Sequence, residues 1–133
     1  MRVDSGGPVT RESRTVLVVD DEASLRLLCR VNLELEGHRV LEAATVSEAS
    51  ALLAAETVDV VLLDVHVGVG SGLDVLDEIE ALDLPVRVVL LSGTSDIDQP
   101  LRARVHNVLG KPFSLEQLVD AVADGASGSL RGA

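Results

Sequence analysis

Apolar residues recur along the chain in two alternating patterns, which predict strands and helices in turn. Short runs rich in valine and leucine, such as Thr15–Val19 and residues 58–63, are typical of strands covered on both faces of a parallel sheet. Further strands are predicted over residues 38–43, where the run is weaker, and over residues 86–91 and 105–109. Between the strands, apolar residues at steps of three and four predict amphipathic helices.

The helix signals are of uneven strength. Leu25, Leu28, Cys29 and Leu33 predict a first helix that ends near Gly37. The Thr-Val-Ser-Glu sequence at residues 45–48 is a capping box that begins a second helix, and residues 73–82 predict a third. Pro100 and the scarcity of apolar side chains allow at most a short helix within residues 96–104. A last helix is expected to begin after the capping residue Ser114.

Strand and helix alternate five times with short connections, which predicts an α/β fold. We expect a doubly wound, five-stranded parallel sheet flanked by helices on both faces, two on one face and three on the other. Residues 1–14 are predicted to be a disordered leader, residues 15–124 a single domain, and residues 125–133 a flexible C-terminal tail.

Composition narrows the classes of function. The formal net charge of the 133 residues is -11, which argues against binding to nucleic acid or to an anionic membrane. The single cysteine cannot form an internal disulfide, and no apolar stretch has the length of a membrane span. The absence of a signal-peptide pattern leads us to expect a cytoplasmic protein.

Polar residues stand at the carboxyl ends of the predicted strands. Asp20 and Asp21 follow the first strand, Asp64 ends the third, Ser92 the fourth, and Lys111, the only lysine, the fifth. In a parallel sheet these ends open on one edge, so the five side chains are expected to share a pocket. Helix or strand capping explains each residue singly, but it does not predict their coincidence.

This set of side chains suits phosphoryl transfer. Three carboxylates in a small volume need a cation, and Mg²⁺ prefers such oxygen ligands. An ammonium and a hydroxyl group beside a metal can neutralise and orient a phosphoryl group. Asp64 would then be the nucleophile and would form an aspartyl phosphate.

Five motifs, in this order and spacing, resemble those of response regulator receiver domains of two-component signalling. They cover residues 16–22, 60–64, 72–76, 90–93 and 110–113 (VLVVDDE, VVLLD, GLDVL, LLSG and GKPF). The resemblance implies a CheY-like, flavodoxin-like fold with strand order 2-1-3-4-5. It also implies that Asp64 is phosphorylated by the phosphohistidine of a sensor histidine kinase or a histidine phosphotransfer protein.

The resemblance further implies a role for each residue of the site. Mg²⁺ would be held by Asp21, Asp64 and the backbone carbonyl of His66, with Asp20 acting through water. Lys111 and Ser92 would each contact a phosphoryl oxygen, and the Lys111–Pro112 peptide bond would be cis. The domain would catalyse its own phosphorylation and dephosphorylation, have no separate enzymatic output, and signal through a partner protein, with a homodimer as one form.

The chain departs from the family at Val108, where receiver domains usually carry an aromatic residue. A valine is short and stiff at χ1, so the usual aromatic relay cannot operate. This departure leaves open a receiver-like module that binds its partner independently of phosphorylation. A small phosphatase is a separate alternative. The phosphatase would need an acid two residues after Asp64, where the chain has His66. The sequence also leaves open whether the domain stands alone or belongs to a larger regulator or hybrid kinase.

Overall fold

The computed structural model of the chain describes residues 13–68, 70–93 and 97–131. Its strands, numbered along the chain, are β1 Thr15–Val19, β2 Arg39–Ala43, β3 Val60–Asp64, β4 His66–Val67, β5 Gly70–Ser71, β6 Arg87–Ser92 and β7 Asn107–Gly110. Five of them form one parallel sheet in the order β2-β1-β3-β6-β7. This arrangement confirms the predicted fold and the strand order 2-1-3-4-5. Strands β4 and β5 form a small antiparallel hairpin where the sequence predicts only a loop.

Helices connect the strands of the large sheet. They are α1 Ala23–Leu35, α2 Val46–Ala55, α3 Gly72–Ala81, α4 Gln99–Arg102 and α5 Leu115–Arg131. Among the described residues, none of these helices combines the length and apolarity needed to cross a bilayer.

The pleat of the sheet divides the core into two apolar layers. On one face, Leu17, Leu63 and Leu90 pack with side chains of α2 and α3, and with Leu101 of α4. On the other face, neighbouring residues of the same strands pack with α1 and α5. The predicted division into three helices and two is therefore confirmed. Because successive side chains of a strand point to opposite faces, strands buried on both faces must be apolar throughout.

Helix α1 ends in the turn that Gly37 predicts. Gly37 has a φ of 94°, its N–H donates to the Glu34 carbonyl, and the next N–H, of His38, donates to the Leu33 carbonyl. These two bonds form a Schellman motif. The predicted apolar stripe of α1 is only partly correct, because Cys29 and Leu33 are buried whereas Leu28 is 42% exposed.

The segment between β6 and β7 contains one short helix, as expected. The carboxylate of Asp98 caps α4 by accepting from the Leu101 N–H, and Pro100 lies in the first turn, where no N–H is needed. Just beyond the helix, the guanidinium of Arg104 lies 2.6 Å from Asp77 and 2.7 Å from Glu80, both on α3. These ion pairs attach the segment to α3.

The structure describes only part of the predicted leader and of the predicted tail. Residues 1–12 of the predicted leader, and residues 132–133, lie outside the described residues. Within the leader, the Arg14 carbonyl accepts from the Arg39 N–H at 2.9 Å, and the Arg14 N–H donates to Nδ1 of His38. Helix α5 runs to Arg131, since extending a formed helix costs far less than nucleating one. The flexibility of the predicted tail, residues 125–133, stays a prediction.

Candidate functional site

The carboxyl ends of four adjacent strands bring the predicted site residues to one edge of the sheet. Asp20 directly follows β1, Asp64 is the last residue of β3, Ser92 is the last of β6, and Lys111 directly follows β7. Asp20, Asp64 and Ser92 are all buried. The strands place these side chains together because they are parallel and adjacent in the order β1-β3-β6-β7.

The ammonium group of Lys111 joins two of the carboxylates. Its Nζ lies 2.9 Å from Oδ2 of Asp20 and 3.2 Å from Oδ2 of Asp64. The three side chains come from positions far apart in sequence, so only the folded sheet creates this contact. A lysine placed between two buried carboxylates compensates their charge.

The environment of Asp64 favours the protonated carboxyl more than bulk water does. Burial raises the pKa of this carboxyl above its usual 3.8, and the nearby charge of Asp20 raises it further. The N–H of His66, which donates to Oδ1 of Asp64 at 3.2 Å, and the ammonium of Lys111 both lower the pKa, but they do not cancel the effect of burial. A cation bound beside Asp64 would therefore stabilise the charged form of this carboxylate.

The environment of Lys111 favours its charged form. Burial lowers the pKa of the ammonium, but the hydrogen bond and charge of Asp20, together with those of Asp64, outweigh burial and raise the pKa above 10.5. Lys111 is therefore a permanent cation at neutral pH. A fixed positive charge beside Asp64 is suited to binding an anionic group there.

Asp21 completes an acidic cluster with Asp20 and Asp64. Each residue offers a carboxylate oxygen, and the three oxygens lie within 4.8 Å of one another. Asp21 is exposed, whereas the other two carboxylates are buried, so the cluster opens to solvent on the Asp21 side. Ligands on opposite sides of a Mg²⁺ ion lie about 4.2 Å apart, since Mg–O bonds are about 2.1 Å. The three oxygens can therefore surround one metal ion.

The backbone of Asp20 is held by Arg26, a residue of α1. Nη1 of Arg26 donates to the Asp20 carbonyl at 2.8 Å, and its Nε lies 3.0 Å from a carboxylate oxygen of Glu42. Arg26 thus joins the end of β1 to β2. Its spacing in α1 gave no sign of this contact, because Glu42 becomes its neighbour only through the pairing of the two strands.

Ser92 and Lys111 approach each other through the backbone. The Lys111 N–H donates to the Ser92 carbonyl at 2.7 Å and continues the pairing of β6 with β7. The Lys111–Pro112 peptide bond is cis, as the resemblance implied. Ser92 and Lys111 also line a common cavity beside the acidic cluster.

His66 lies at the site through its backbone rather than its side chain. Its N–H contacts Asp64, and its imidazole is exposed. It pairs with Ser71 in the hairpin of β4 and β5. The structure thus places the His66 backbone beside the acid cluster, and its role as a carbonyl ligand stays a prediction.

Gly72 is a further residue that the site requires. It begins α3, and a β-carbon at this position would overlap the carbonyl oxygen of Asp64. In the sequence, Gly72 stands out only as the first residue of the GLDVL motif. The close approach of α3 to the end of β3 explains why this position needs a glycine.

Comparison with known proteins agrees with this geometry. Residues 16–123 match the family described as response regulator receiver domain. Sporulation initiation phosphotransferase F of Bacillus subtilis is 27% identical over 110 residues, which cover 80% of this chain and 89% of the relative. Several other curated matches are transcriptional regulators, and this chain spans about a quarter to a half of the length of those proteins.

Solved structures show the same arrangement of elements. A signal receiver domain from Vibrio parahaemolyticus is 25% identical, with a TM-score of 0.81 and coverage of 91% of this chain and 95% of that one. A response regulator protein from Burkholderia pseudomallei, determined with a phosphorylated aspartic acid, a calcium ion and citrate, is also 25% identical. Its TM-score is 0.74, and the match covers 91% of this chain and 74% of that one.

Proposed function

The chain belongs to the response regulator receiver domain family, and from this premise we propose that Asp64 accepts a phosphoryl group in a two-component phosphorelay. The observation that carries the proposal is the contact of Lys111 with Asp64 and Asp20 beside a third carboxylate. Membership of the family implies a histidine kinase or phosphotransfer protein as partner. The donor would be a phosphohistidine of that partner.

The transfer converts one high-energy bond into another. A carboxylate oxygen of Asp64 attacks phosphorus, the P–N bond to the histidine breaks, and its electron pair stays on the imidazole nitrogen. The product is an acyl phosphate on Asp64. Water later attacks phosphorus and breaks the new P–O bond, which restores the carboxylate and releases inorganic phosphate.

Positioning and charge compensation account for the catalysis. Lys111 would bind one phosphoryl oxygen, and the hydroxyl of Ser92 would donate a hydrogen bond to another. Asp21, Asp64 and the His66 carbonyl would hold Mg²⁺, with Asp20 acting through water. When bound, Mg²⁺ would supply positive charge to the phosphoryl oxygens.

The exposed side of α1 supports a protein as the phosphodonor. Leu27, Leu28, Val31 and Leu35 are all exposed there, at the spacing of one helical face. Helix α1, which carries this stripe, begins two residues after Asp21 of the acid cluster. A helix of a donor protein could bury the stripe while it presents its histidine to Asp64.

The output of the domain would also be a protein contact. We propose a downstream protein partner in the cytoplasm, no contact of this domain with nucleic acid or membrane, and a homodimer as one form. Because the chain matches only part of several longer regulators, the domain could act alone or within a larger protein.

Phosphorylation by a small donor tests the proposal. The full chain would be incubated with acetyl phosphate and Mg²⁺, and the modified residue would be located by mass spectrometry. We expect one phosphoryl group on Asp64, no modification of Asp64→Asn, and normal modification of the control Asp74→Asn, which changes an exposed acid of α3. A phosphoryl group on another residue would refute the assignment.

One observation favours a second function, a binding module that acts independently of phosphorylation. Val108 on β7 is half-buried and too short to act as the aromatic relay. Capture of the partner with and without fluoroberyllate, a mimic of the phosphoryl group, separates the two functions. Equal capture by a domain that is phosphorylated on Asp64 would support the binding module.

A further inference from the structure

A cavity of about 360 Å³ opens beside the acidic cluster, between the segment that contains α4 and the end of β7. Two of its lining residues, Ser92 and Lys111, belong to the site described above. Ile97 and Val108 supply apolar wall, and Arg102 of α4 supplies a guanidinium group. The cavity therefore connects the phosphoacceptor site to a cation that has no role in the proposed transfer.

Arg102 is exposed and has no ion-pair partner in the part of the chain that the structure describes. Arg104, two residues further on, contrasts with it, because Asp77 and Glu80 hold that guanidinium on α3. The chain has 22 acidic residues, yet Arg102 forms an ion pair with none of the described ones. Because Arg102 also lines the cavity next to Lys111, its guanidinium is available to bind an anion. Its planar fork of donors matches the oxygens of a phosphoryl group.

The charge of the site changes on phosphorylation in a way that Arg102 can compensate. Before transfer, the formal charges of Asp20, Asp21 and Asp64 would be cancelled by Mg²⁺ and Lys111. Transfer replaces one carboxylate charge by a phosphoryl group that carries close to two negative charges. One further cation is then needed, and the cavity offers one.

The short side chain of Val108 leaves room for this contact. Val108 and Ile97 line the cavity without filling it, so the guanidinium can enter from α4. The helix is a single turn of four residues, and Arg102 is its last residue. A contact between Arg102 and the phosphoryl group would therefore link the state of Asp64 directly to α4.

We propose that Arg102 is a second phosphoryl-binding cation, which pairs with the phosphoryl group on Asp64 through this cavity. The ligand is a tetrahedral phosphoryl anion, and Arg102 takes over the coupling to α4 that Val108 is too short to provide. The inference rests on the proposed function, because it needs Asp64 to carry the group.

Binding of fluoroberyllate in the presence of Mg²⁺ tests the inference on the full chain. The chain has no tryptophan or tyrosine, so ¹⁹F NMR is the appropriate measurement. We expect Arg102→Gln to weaken binding about tenfold, the effect of losing one charge-assisted hydrogen bond, and Arg102→Lys to recover part of the loss. The matched control is Arg39→Gln, which removes the same charge from the N-terminal end of β2.

Two further measurements separate phosphoryl binding from a structural role. Binding of Mg²⁺ alone should be the same in Arg102→Gln and in the wild type, because Arg102 is not a metal ligand. The acyl phosphate formed with acetyl phosphate should have a different lifetime in Arg102→Gln, whereas inorganic phosphate should bind neither protein in the same concentration range. Binding of inorganic phosphate that depends on Arg102 would instead identify a general anion site and overturn the proposal.

The outcomes distinguish this inference from the proposed function. Wild-type affinity of Arg102→Gln for fluoroberyllate, in a protein that is phosphorylated on Asp64, would overturn the role of Arg102 alone. Failure of the wild type to bind fluoroberyllate or to form the acyl phosphate would overturn the proposed function. If Arg102→Gln does not fold, the variant Val108→Phe provides the test. Its larger side chain should fill the cavity and weaken fluoroberyllate binding by a similar factor. Unchanged binding would refute the proposal.

Discussion

Gly72, the first residue of α3, lies against the backbone of Asp64, the last residue of β3. A β-carbon at Gly72 would overlap the Asp64 carbonyl oxygen and lie 3.2 Å from the side chain of Leu63. The Gly72 N–H donates to the carbonyl of Val65 at 2.8 Å. Helix α3 therefore lies directly behind Asp64, and any side chain at Gly72 must displace the Asp64 backbone.

We expect Gly72→Ala to destabilise the domain by about 1–3 kcal/mol, the usual range for overpacking a filled site. Its rate of phosphorylation by acetyl phosphate should also fall, because Asp64 moves relative to Lys111. Urea denaturation measures the first effect. Gly110→Ala is the control, since no atom lies within 4 Å of the β-carbon it adds. Equal stability of the two variants would contradict the close approach.

Lys111→Met should destabilise the domain in the absence of divalent metal. Asp20, which is fully buried, would lose the partner of its charge, and removing one member of a buried pair costs about 3 kcal/mol. Added Mg²⁺ should restore part of the stability by supplying positive charge. The control Arg39→Met breaks the exposed pair with Glu56 and should cost less than about 1 kcal/mol. A Lys111→Met protein that is as stable as the wild type, and whose stability does not change with Mg²⁺, would argue against this account.

Asp21→Ala should lower the affinity for Mg²⁺ by about tenfold or more, because it removes one of three carboxylates from the cluster. Since Asp21 is exposed, the fold should be retained, and isothermal titration calorimetry can compare the proteins directly. Asp74→Ala removes an exposed acid outside the cluster and should leave Mg²⁺ binding unchanged. A similar loss in both variants would mean that net charge, rather than coordination, governs binding.

His106 should make stability depend on pH. Nδ1 of His106 accepts a hydrogen bond from the Val88 N–H at 3.0 Å, and partial burial of this imidazole, followed by the charge of Arg87, lowers the pKa of His106 below 6.5. The unfolded chain therefore binds the proton more tightly, so the contribution of His106 is complete above pH 6.5 and is lost as the pH falls below it.

Urea denaturation between about pH 7.5 and about pH 5.5 measures this effect. The stability difference between the wild type and His106→Gln should shrink as the pH falls. His66→Gln changes an exposed imidazole and should keep the wild-type dependence. A difference that is constant or grows on acidification would show that His106 is not held neutral.

The local sequence predicted much of the fold because strand burial and helix capping are local properties. The valine-rich run Thr15–Val19 and the stop at Gly37 correspond to β1 and to the end of α1. Thr45 caps α2 by accepting from the Glu48 N–H, as the capping box predicts. The β4–β5 hairpin and the length of α5 were not predicted, because neither has a strong apolar period.

The composition of the candidate site was also predictable. Asp20, Asp64, Ser92 and Lys111 stand at the carboxyl ends of strands that must be parallel, and such strands end at one edge of the sheet. The sequence could therefore indicate that these residues would be neighbours. It could not indicate that one ammonium group would contact Asp20 and Asp64 together, because that depends on distances set by the packed sheet.

By itself, the sequence determined the order of strands and helices, the two apolar faces of the sheet and the polar residues at its carboxyl edge, since each follows from periodicity and connection length. Only the tertiary structure decided how Arg26 reaches Asp20, why residue 72 must be glycine and where Arg102 lies relative to Lys111. These relationships join residues distant in sequence. They depend on how the elements pack, and no local pattern encodes a distance between two side chains.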